Sequence, residues 1–138
     1  MSIADAPAVA RLATQLGYPS TPSQMEQRFR ALENAQEASV MVAEGPDGTV
    51  LGWIHVFITR QLESDPGAEI GGLVVDEGAR GRGVGSALVA SVEAWARERG
   101  YEGVSVRSNV IRLEAHEFYK SRGYQVLKSQ FKLRKKLV

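Results

Sequence analysis

The sequence predicts an α+β domain with a mostly antiparallel sheet, and three features carry that expectation. Two helix-period segments open the chain. Three apolar, β-branched runs follow with short polar connections between them. A long amphipathic segment then separates the third run from a fourth, as a helical crossover does.

The first segment, Ala6 to Gly17, sets Val9, Leu12, Ala13 and Leu16 at helical spacing, with Gly17 at the stop. Tyr18-Pro19-Ser20-Thr21-Pro22 breaks it, and Ser23 is positioned to cap a second helix carrying Met25, Phe29 and Leu32. The period then changes. Ser39 to Glu44 and Val50 to Thr59 read as strands joined by Gly45-Pro46-Asp47-Gly48, and residues 60–67 read as a polar loop. A third strand, Glu69 to Asp76, is apolar enough at Leu73-Val74-Val75 for burial on both faces. The longest helical pattern runs from Val84 to Arg99, with Val84, Leu88, Val92, Trp95 and Ala96 on its stripe, Glu93 and Arg97 paired opposite, and Gly100 as the stop. Val104 to Ser108 reads as a strand, Arg112 to Arg122 as a helix closed by Gly123, and Tyr124 to Leu127 as a strand. Gln130 to Val138 alternates apolar with basic residues, as a last strand would. No linker, repeat or low-complexity stretch interrupts the order, so a single domain over residues 1–138 is expected.

Composition narrows the function. With 138 residues, 43% of them hydrophobic, the chain can build one real core. No apolar run approaches the roughly 18 residues a membrane helix needs, and the opening residues lack a basic start followed by an apolar block. A net charge of +1 argues against a broad nucleic-acid surface. Cysteine is absent, which removes disulfides, thiolate-bound zinc and a cysteine acyl-enzyme. No metal site is expected, and the cytoplasm is the expected compartment.

The chemistry concentrates in Leu73-Val74-Val75-Asp76-Glu77-Gly78-Ala79-Arg80-Gly81-Arg82-Gly83-Val84-Gly85-Ser86. Here a buried strand enters a turn with alternating glycines that opens a helix. Glycine lets backbone approach a ligand closely, and free N–H groups at a helix start suit phosphate oxygens. Arg80 and Arg82 add positive charge. Taken alone, the glycines fit a tight strand–helix turn equally well. A nucleoside triphosphatase loop would need Gly-Lys-Ser or Gly-Lys-Thr, which is missing. A dinucleotide fold would need its glycines early in a β-α-β unit, and these come after three strands that read as hairpin-linked.

Arg80-x-x-Gly83-x-Gly85 after a Val-Val-Asp strand resembles the acetyl-CoA loop of the GNAT N-acetyltransferases. A second block, Arg112-x-x-Ala115-His116-x-Phe118-Tyr119-x-x-x-Gly123-Tyr124, resembles a later block of that family, and the two with their strands span residues 69–137. The resemblance implies a GNAT-like sheet flanked by helices and direct transfer of acetyl from acetyl-CoA, the co-substrate, to a primary amine of a small molecule or peptide. It implies that the backbone of Leu73, Val74 and Val75 meets the pantetheine arm. Arg80, Gly81, Arg82, Gly83, Val84, Gly85 and Ser86 would hold the pyrophosphate. Tyr119 matches the tyrosine that protonates the departing thiolate in many relatives, and its alternative is a core aromatic. Glu69 falls where some relatives keep a general base, and its alternative is a surface carboxylate. His55 and His116 are the runner-up proton acceptors.

Two departures from the family pattern stand out. The asparagine expected seven residues before the tyrosine is Arg112, which leaves Asn109 as a cofactor-contact candidate or a helix cap. Met1-Ser2-Ile3-Ala4-Asp5 is too short for the family's usual first edge strand, so the sheet lacks it or the chain starts downstream of it. Gly71-Gly72 within the third strand implies a bulge or splay admitting pantetheine, or else a close helix–sheet contact. The rival to catalysis is a non-catalytic acyl-CoA-binding sensor or subunit, which would not need a phenol at 119. Glu26, Glu63, Asp65 and Glu69 would suit a cationic amine. Aminoglycosides, polyamines, amino acids and protein amines stay open as acceptors. The resemblance also allows a homodimer.

Overall fold

A computed structural model describes residues 1–34, 37–108, 110 and 112–138. They form two compact units, Met1–Val106 and Arg107–Val138. The first holds helices α1 (Ala6–Gln15), α2 (Pro22–Glu33) and α3 (Val84–Glu98), with strands β1 (Ala38–Glu44), β2 (Val50–Gln61), β3 (Ser64–Val75) and β4 (Val104–Val106). The second holds α4 (Leu113–Ser121).

The helix ends follow a pattern visible in the sequence. α1, α3 and α4 each close on a Gly-Tyr pair, with Gly17, Gly100 and Gly123 in the left-handed region (φ 98°, 82° and 91°). In each case the tyrosine N–H reaches back to a carbonyl of the last turn: Tyr18 to Ala13, Tyr101 to Ala96, and Tyr124 to Tyr119. These are Schellman closures, which satisfy orphan carbonyls. α2 starts differently from expectation. Thr21, not Ser23, is its cap, and its hydroxyl accepts from the Gln24 N–H while Gln24 Oε1 accepts from the Thr21 N–H. Pro22 takes the first helical position, where its missing N–H costs nothing.

The sheet runs β1-β2-β3-β4, antiparallel in its first two pairings and parallel between β3 and β4, which α3 connects. Adjacent strand residues face opposite sides. A β-carbon at Gly52 would lie 3.2 Å from Leu88 and Val84 of α3. Its neighbour Trp53 packs instead against the cluster of Leu12, Val50 and Val74, on the side of α1. The sheet is therefore covered by α3 on one face and α1 on the other. Leu12, Val9, Ile54, Val56, Val89 and Val92 are its most deeply buried side chains.

Other expectations are corrected. Residues 60–67 are not a loop: β2 and β3 run almost to the turn, with Gln61 opposite Ser64. Asp65 and Pro66 fall in a register shift between Thr59 and Gln61, so the Asp-Pro-Gly signal marks an irregularity within a hairpin. Among the described residues no strand precedes α1; residues 3–5 form a 3₁₀ turn. Tyr124–Leu127 and Gln130–Val138 join no ladder among the described residues, and Phe131, Leu133 and Leu137 are exposed. Alternation says which face a strand would bury, but it supplies no partner to bury it against.

Candidate active site

The glycine turn is fixed at its entrance. Asp76 caps the short 3₁₀ turn Glu77–Ala79, and its Oδ1 accepts from Gly78 N–H (3.4 Å) and Gln15 Nε2 (3.3 Å). Gln15 Oε1 accepts from Glu77 N–H at 3.2 Å, and Arg11 Nη1 sits 3.5 Å from Asp76 Oδ2. These contacts hold the Asp76 carboxyl below its usual range, the Gln15 hydrogen bond first among the causes. Ala79 is buried, so the turn is pinned from both sides.

Beyond it the chain opens. Gly81 and Gly83 both take positive φ (80° and 79°), and the space where a β-carbon would stand at either is empty. Gly83 caps α3, and its carbonyl accepts from Ala87. The N–H groups of Val84 and Gly85 therefore have no acceptor within the helix and point out of its positive end, with Ser86 next along it. Arg80 and Arg82 flank them, exposed. Donors, dipole and guanidinium charge converge on one open patch suited to phosphate oxygens.

A second feature lies upstream. β4 pairs with β3 only at Ala68, Glu69 and Ile70. At the next residue β3 carries a bulge, because His55 faces Gly72 while Val56 faces Ile70, which leaves Gly71 extra. From Gly71 to Val75 no strand pairs with that edge of β3 among the described residues. Asp76 donates its N–H to Leu51 O (2.7 Å). The alternation of an antiparallel ladder then turns the backbone of Val74 toward β2, and that of Leu73 and Val75 toward the open edge.

The bulge also settles the glycine pair. A β-carbon at Gly71 would lie 2.8 Å from His55 Nδ1 and 2.9 Å from Phe57 Cε1, and one at Gly72 3.1 Å from the Trp53 ring. Three side chains of β2 thus lie across β3 where it has none. The expected bulge is present, and so is a close contact, though with aromatic rings of the sheet and not with a helix. His55 and Phe57 rings sit 5.4 Å apart. Burial pushes the His55 imidazole below its usual pKa. Glu69 is half-buried, opposite Phe57 on one side and Ser105 on the other.

The second unit builds its own feature. Tyr119 packs edge-on to Phe118 (5.2 Å) and Tyr124 (5.5 Å). The second contact accompanies the closure of α4, so Gly123 and Tyr124 hold the Tyr119 ring as well as ending the helix. Burial raises the phenol's pKa above its ordinary value, partly opposed by Arg112. Tyr119 therefore keeps its proton at neutral pH.

The site residues expected from sequence fall into groups. Leu73 and Val75, the glycine turn and the start of α3 form one continuous track. Val74 is turned away from it, its side chain buried. Glu69 lies before the bulge, on the paired part of β3. Asn109 lies outside the described residues. Of the expected acidic cluster, Glu26 pairs with Arg30 at 2.9 Å, while Glu63 and Asp65 are exposed at the β2–β3 turn. Sequence reasoning missed Asp76 as a cap, although an Asp before a turn is a readable signal. Nothing in the sequence marked Arg11 and Gln15, which act across more than sixty positions.

The comparisons with known proteins agree with this geometry. The Acetyltransferase (GNAT) family matches residues 7–124, across both units. An aminoglycoside N(6')-acetyltransferase type 1 from Stenotrophomonas maltophilia is 32% identical over 126 residues, which is 88% of this chain and 81% of that protein. The crystal structure of the aminoglycoside antibiotic 6'-N-acetyltransferase AAC(6')-IG from Acinetobacter haemolyticus superposes with a TM-score of 0.86 at 19% identity, covering 100% of this chain and 97% of that one. AAC(6')-Iy, in complex with the bisubstrate analogue CoA-S-monomethyl-acetylneamine, superposes at 0.85 with 18% identity over 99% and 95%. With a family match over most of its length and a relative of this identity and coverage, the chain belongs to the GNAT acetyltransferase family.

Proposed function

We propose that the protein transfers the acetyl group of acetyl-CoA directly to a primary amine on a small polar molecule, and that both units act together as one catalytic domain. The observation that carries this reading is the open edge of β3 running without interruption into the glycine turn and the start of α3. Leu73 and Val75 offer N–H and C=O groups along that edge, as an extended amide-bearing arm requires. Arg80 to Ser86 supply the donors and charge that a pyrophosphate requires. Val74 serves by holding the strand to β2.

In the reaction the amine nitrogen attacks the thioester carbon, a C–N bond forms and the C–S bond breaks. The electron pair leaves on sulfur, which takes the Tyr119 phenol proton as general-acid catalysis requires. An N–H on the β3 edge would meet the charge developing on the acetyl oxygen, where one donor is worth roughly 3–4 kcal/mol. The amine must shed a proton, since an alkylammonium with pKa about 10.4 costs roughly 4.6 kcal/mol to neutralise at pH 7. Glu69 is the proposed acceptor for it, and the second proton, which the nitrogen releases once the C–N bond has formed, restores the Tyr119 phenol. The phenol at Tyr119 favours catalysis over the binding-only alternative, which would not need one. The aminoglycoside enzymes among the relatives support an amino sugar as the first acceptor to try. The cytoplasm, where acetyl-CoA is plentiful, is the proposed compartment, and a homodimer the proposed assembly.

Initial rates of thiol release, with both substrates varied, test the direct route. Intersecting double-reciprocal lines are expected. Parallel lines that survive a check for product inhibition would overturn direct transfer and require an acyl-enzyme.

A further inference from the structure

Two polar atoms in the first unit are buried with no hydrogen-bond partner among the described residues: Trp53 Nε1 and His55 Nε2. They stand two residues apart on β2, on the face where Gly71 and Gly72 leave β3 bare. Leaving such a group unsatisfied costs about 1–3 kcal/mol, and native proteins rarely leave two side by side without a use for them. The two residues are half-buried overall while both nitrogens are shielded from solvent, so an acceptor oxygen reaches them when the neighbouring side chains shift aside. Both rings lie over the glycines of β3: Trp53 Cη2 and Cζ3 over Gly72, and His55 Nδ1 and Cε1 over Gly71.

The chemistry of the pair restricts what it can bind. An indole N–H only donates, so it needs an oxygen acceptor. A neutral imidazole offers one donor and one acceptor nitrogen, and burial keeps His55 neutral. A hydroxyl group answers both at once, since it accepts from the indole and donates to, or accepts from, the imidazole. Phe57, against His55, gives the hydroxyl an apolar wall.

We propose that Trp53 and His55 form a specificity subsite that binds a hydroxyl group of the acceptor amine. The proposal rests on the acetyl-transfer reading for why an amine is present at all. It implies that the enzyme prefers hydroxylated amines to alkylamines of the same size, because a site built to hydrogen-bond a hydroxyl rejects the analogue that leaves its own groups unpaired.

Matched acceptors test this: ethanolamine against propylamine, and propanolamine against butylamine. The wild-type enzyme should favour the hydroxylated member of at least one pair by tenfold or more in kcat/KM. Trp53→Phe should lower kcat/KM for that member about tenfold more than for its alkyl partner, the factor one hydrogen bond supplies. His55→Gln should keep more of the preference than His55→Leu. A second readout needs no variant to fold well. The protein has two tryptophans, so isotope-labelled protein gives two indole N–H resonances, with Trp95 of α3 as an internal reference. With CoA bound, ethanolamine or propanolamine should shift the Trp53 resonance while the alkylamines and Trp95 stay still.

Equal preference in wild type and Trp53→Phe, or no Trp53 shift with any amine, would overturn the subsite and leave a bound water as the partner. A full Trp53 shift on adding CoA alone would assign the bond to the cofactor's own oxygens and overturn it too. Failure of the transfer reading looks different. A protein that neither binds acetyl-CoA nor makes an N-acetyl product would overturn that reading and the acceptor assignment with it.

Discussion

Replacing Gly71 with alanine tests whether the bulge in β3 exists to clear space for the aromatic row on β2. The new β-carbon would stand 2.8 Å from His55 Nδ1 and 2.9 Å from Phe57 Cε1, where ordinary contact begins at 3.4 Å. The His55 ring would therefore have to retreat by about 0.6 Å and the Phe57 ring by about 0.5 Å, and neither is the loose end of a flexible chain. Overpacking of this kind costs about 1–3 kcal/mol. The loss of glycine's freedom in the unfolded chain returns about 0.4–1 kcal/mol, so the steric cost wins. For a chain of this size that is a fall in Tm of up to roughly 10 °C. The decisive assay is a double-mutant cycle by urea unfolding with His55→Ala, which removes the nearer obstacle. Gly71→Ala should cost less in the His55→Ala background, with a coupling energy on the order of 1 kcal/mol. An alanine variant as stable as wild type, or the same cost in both backgrounds, would refute the clearance argument.

Three further outcomes follow from the same structure. Tyr119→Phe should lower kcat by about 10²–10⁴ while changing acetyl-CoA affinity little, by calorimetry alongside thiol-release kinetics; unchanged turnover would mean that water protonates the thiolate. Asp76→Ala should weaken acetyl-CoA binding and lower Tm by a few degrees, because losing a cap costs about 0.5–2 kcal/mol; Asp76→Asn, which keeps the oxygen facing Gln15 and Gly78, should recover most of both. Stability should also respond to pH at both ends of the scale. The folded state raises the Tyr119 pKa, so its contribution is complete below pH 10 and lost as pH rises through the folded value. It depresses that of His55, so that contribution is complete above pH 6.5 and lost as pH falls through the folded value. Urea unfolding of wild type against Tyr119→Phe and His55→Gln should show each loss only in the protein that keeps the group.

The sequence revealed the site better than the sheet's edges, for physical reasons. Gly83 and Gly85, with Arg80 and Arg82, sit at a strand–helix junction whose geometry is local, so their spacing alone specifies it. Gly17, Gly100 and Gly123 end helices by the same local logic. The bulge at Gly71 was visible as a glycine pair in a strand, but its cause was not. His55 and Phe57 come from another strand, and only register brings them there. An Asp before a turn is a cap signal, missed at Asp76, whereas Arg11 and Gln15 reach that carboxylate only because α1 lies on the sheet. The tail shows the opposite error. Phe131, Leu133 and Leu137 alternate as a strand should, yet a strand needs an edge to join, and local pattern carries no information about one.

The central claim is that the β3 edge and the glycine turn bind acetyl-CoA, and thermal unfolding tests it most directly. The purified protein is melted alone and with acetyl-CoA, CoA, ATP or NAD. A ligand at about 100 times its Kd adds about 2.7 kcal/mol, a rise of several degrees at this chain length. The account predicts that rise with acetyl-CoA and CoA and none with NAD. No shift at millimolar acetyl-CoA, or an equal shift with NAD, would contradict it.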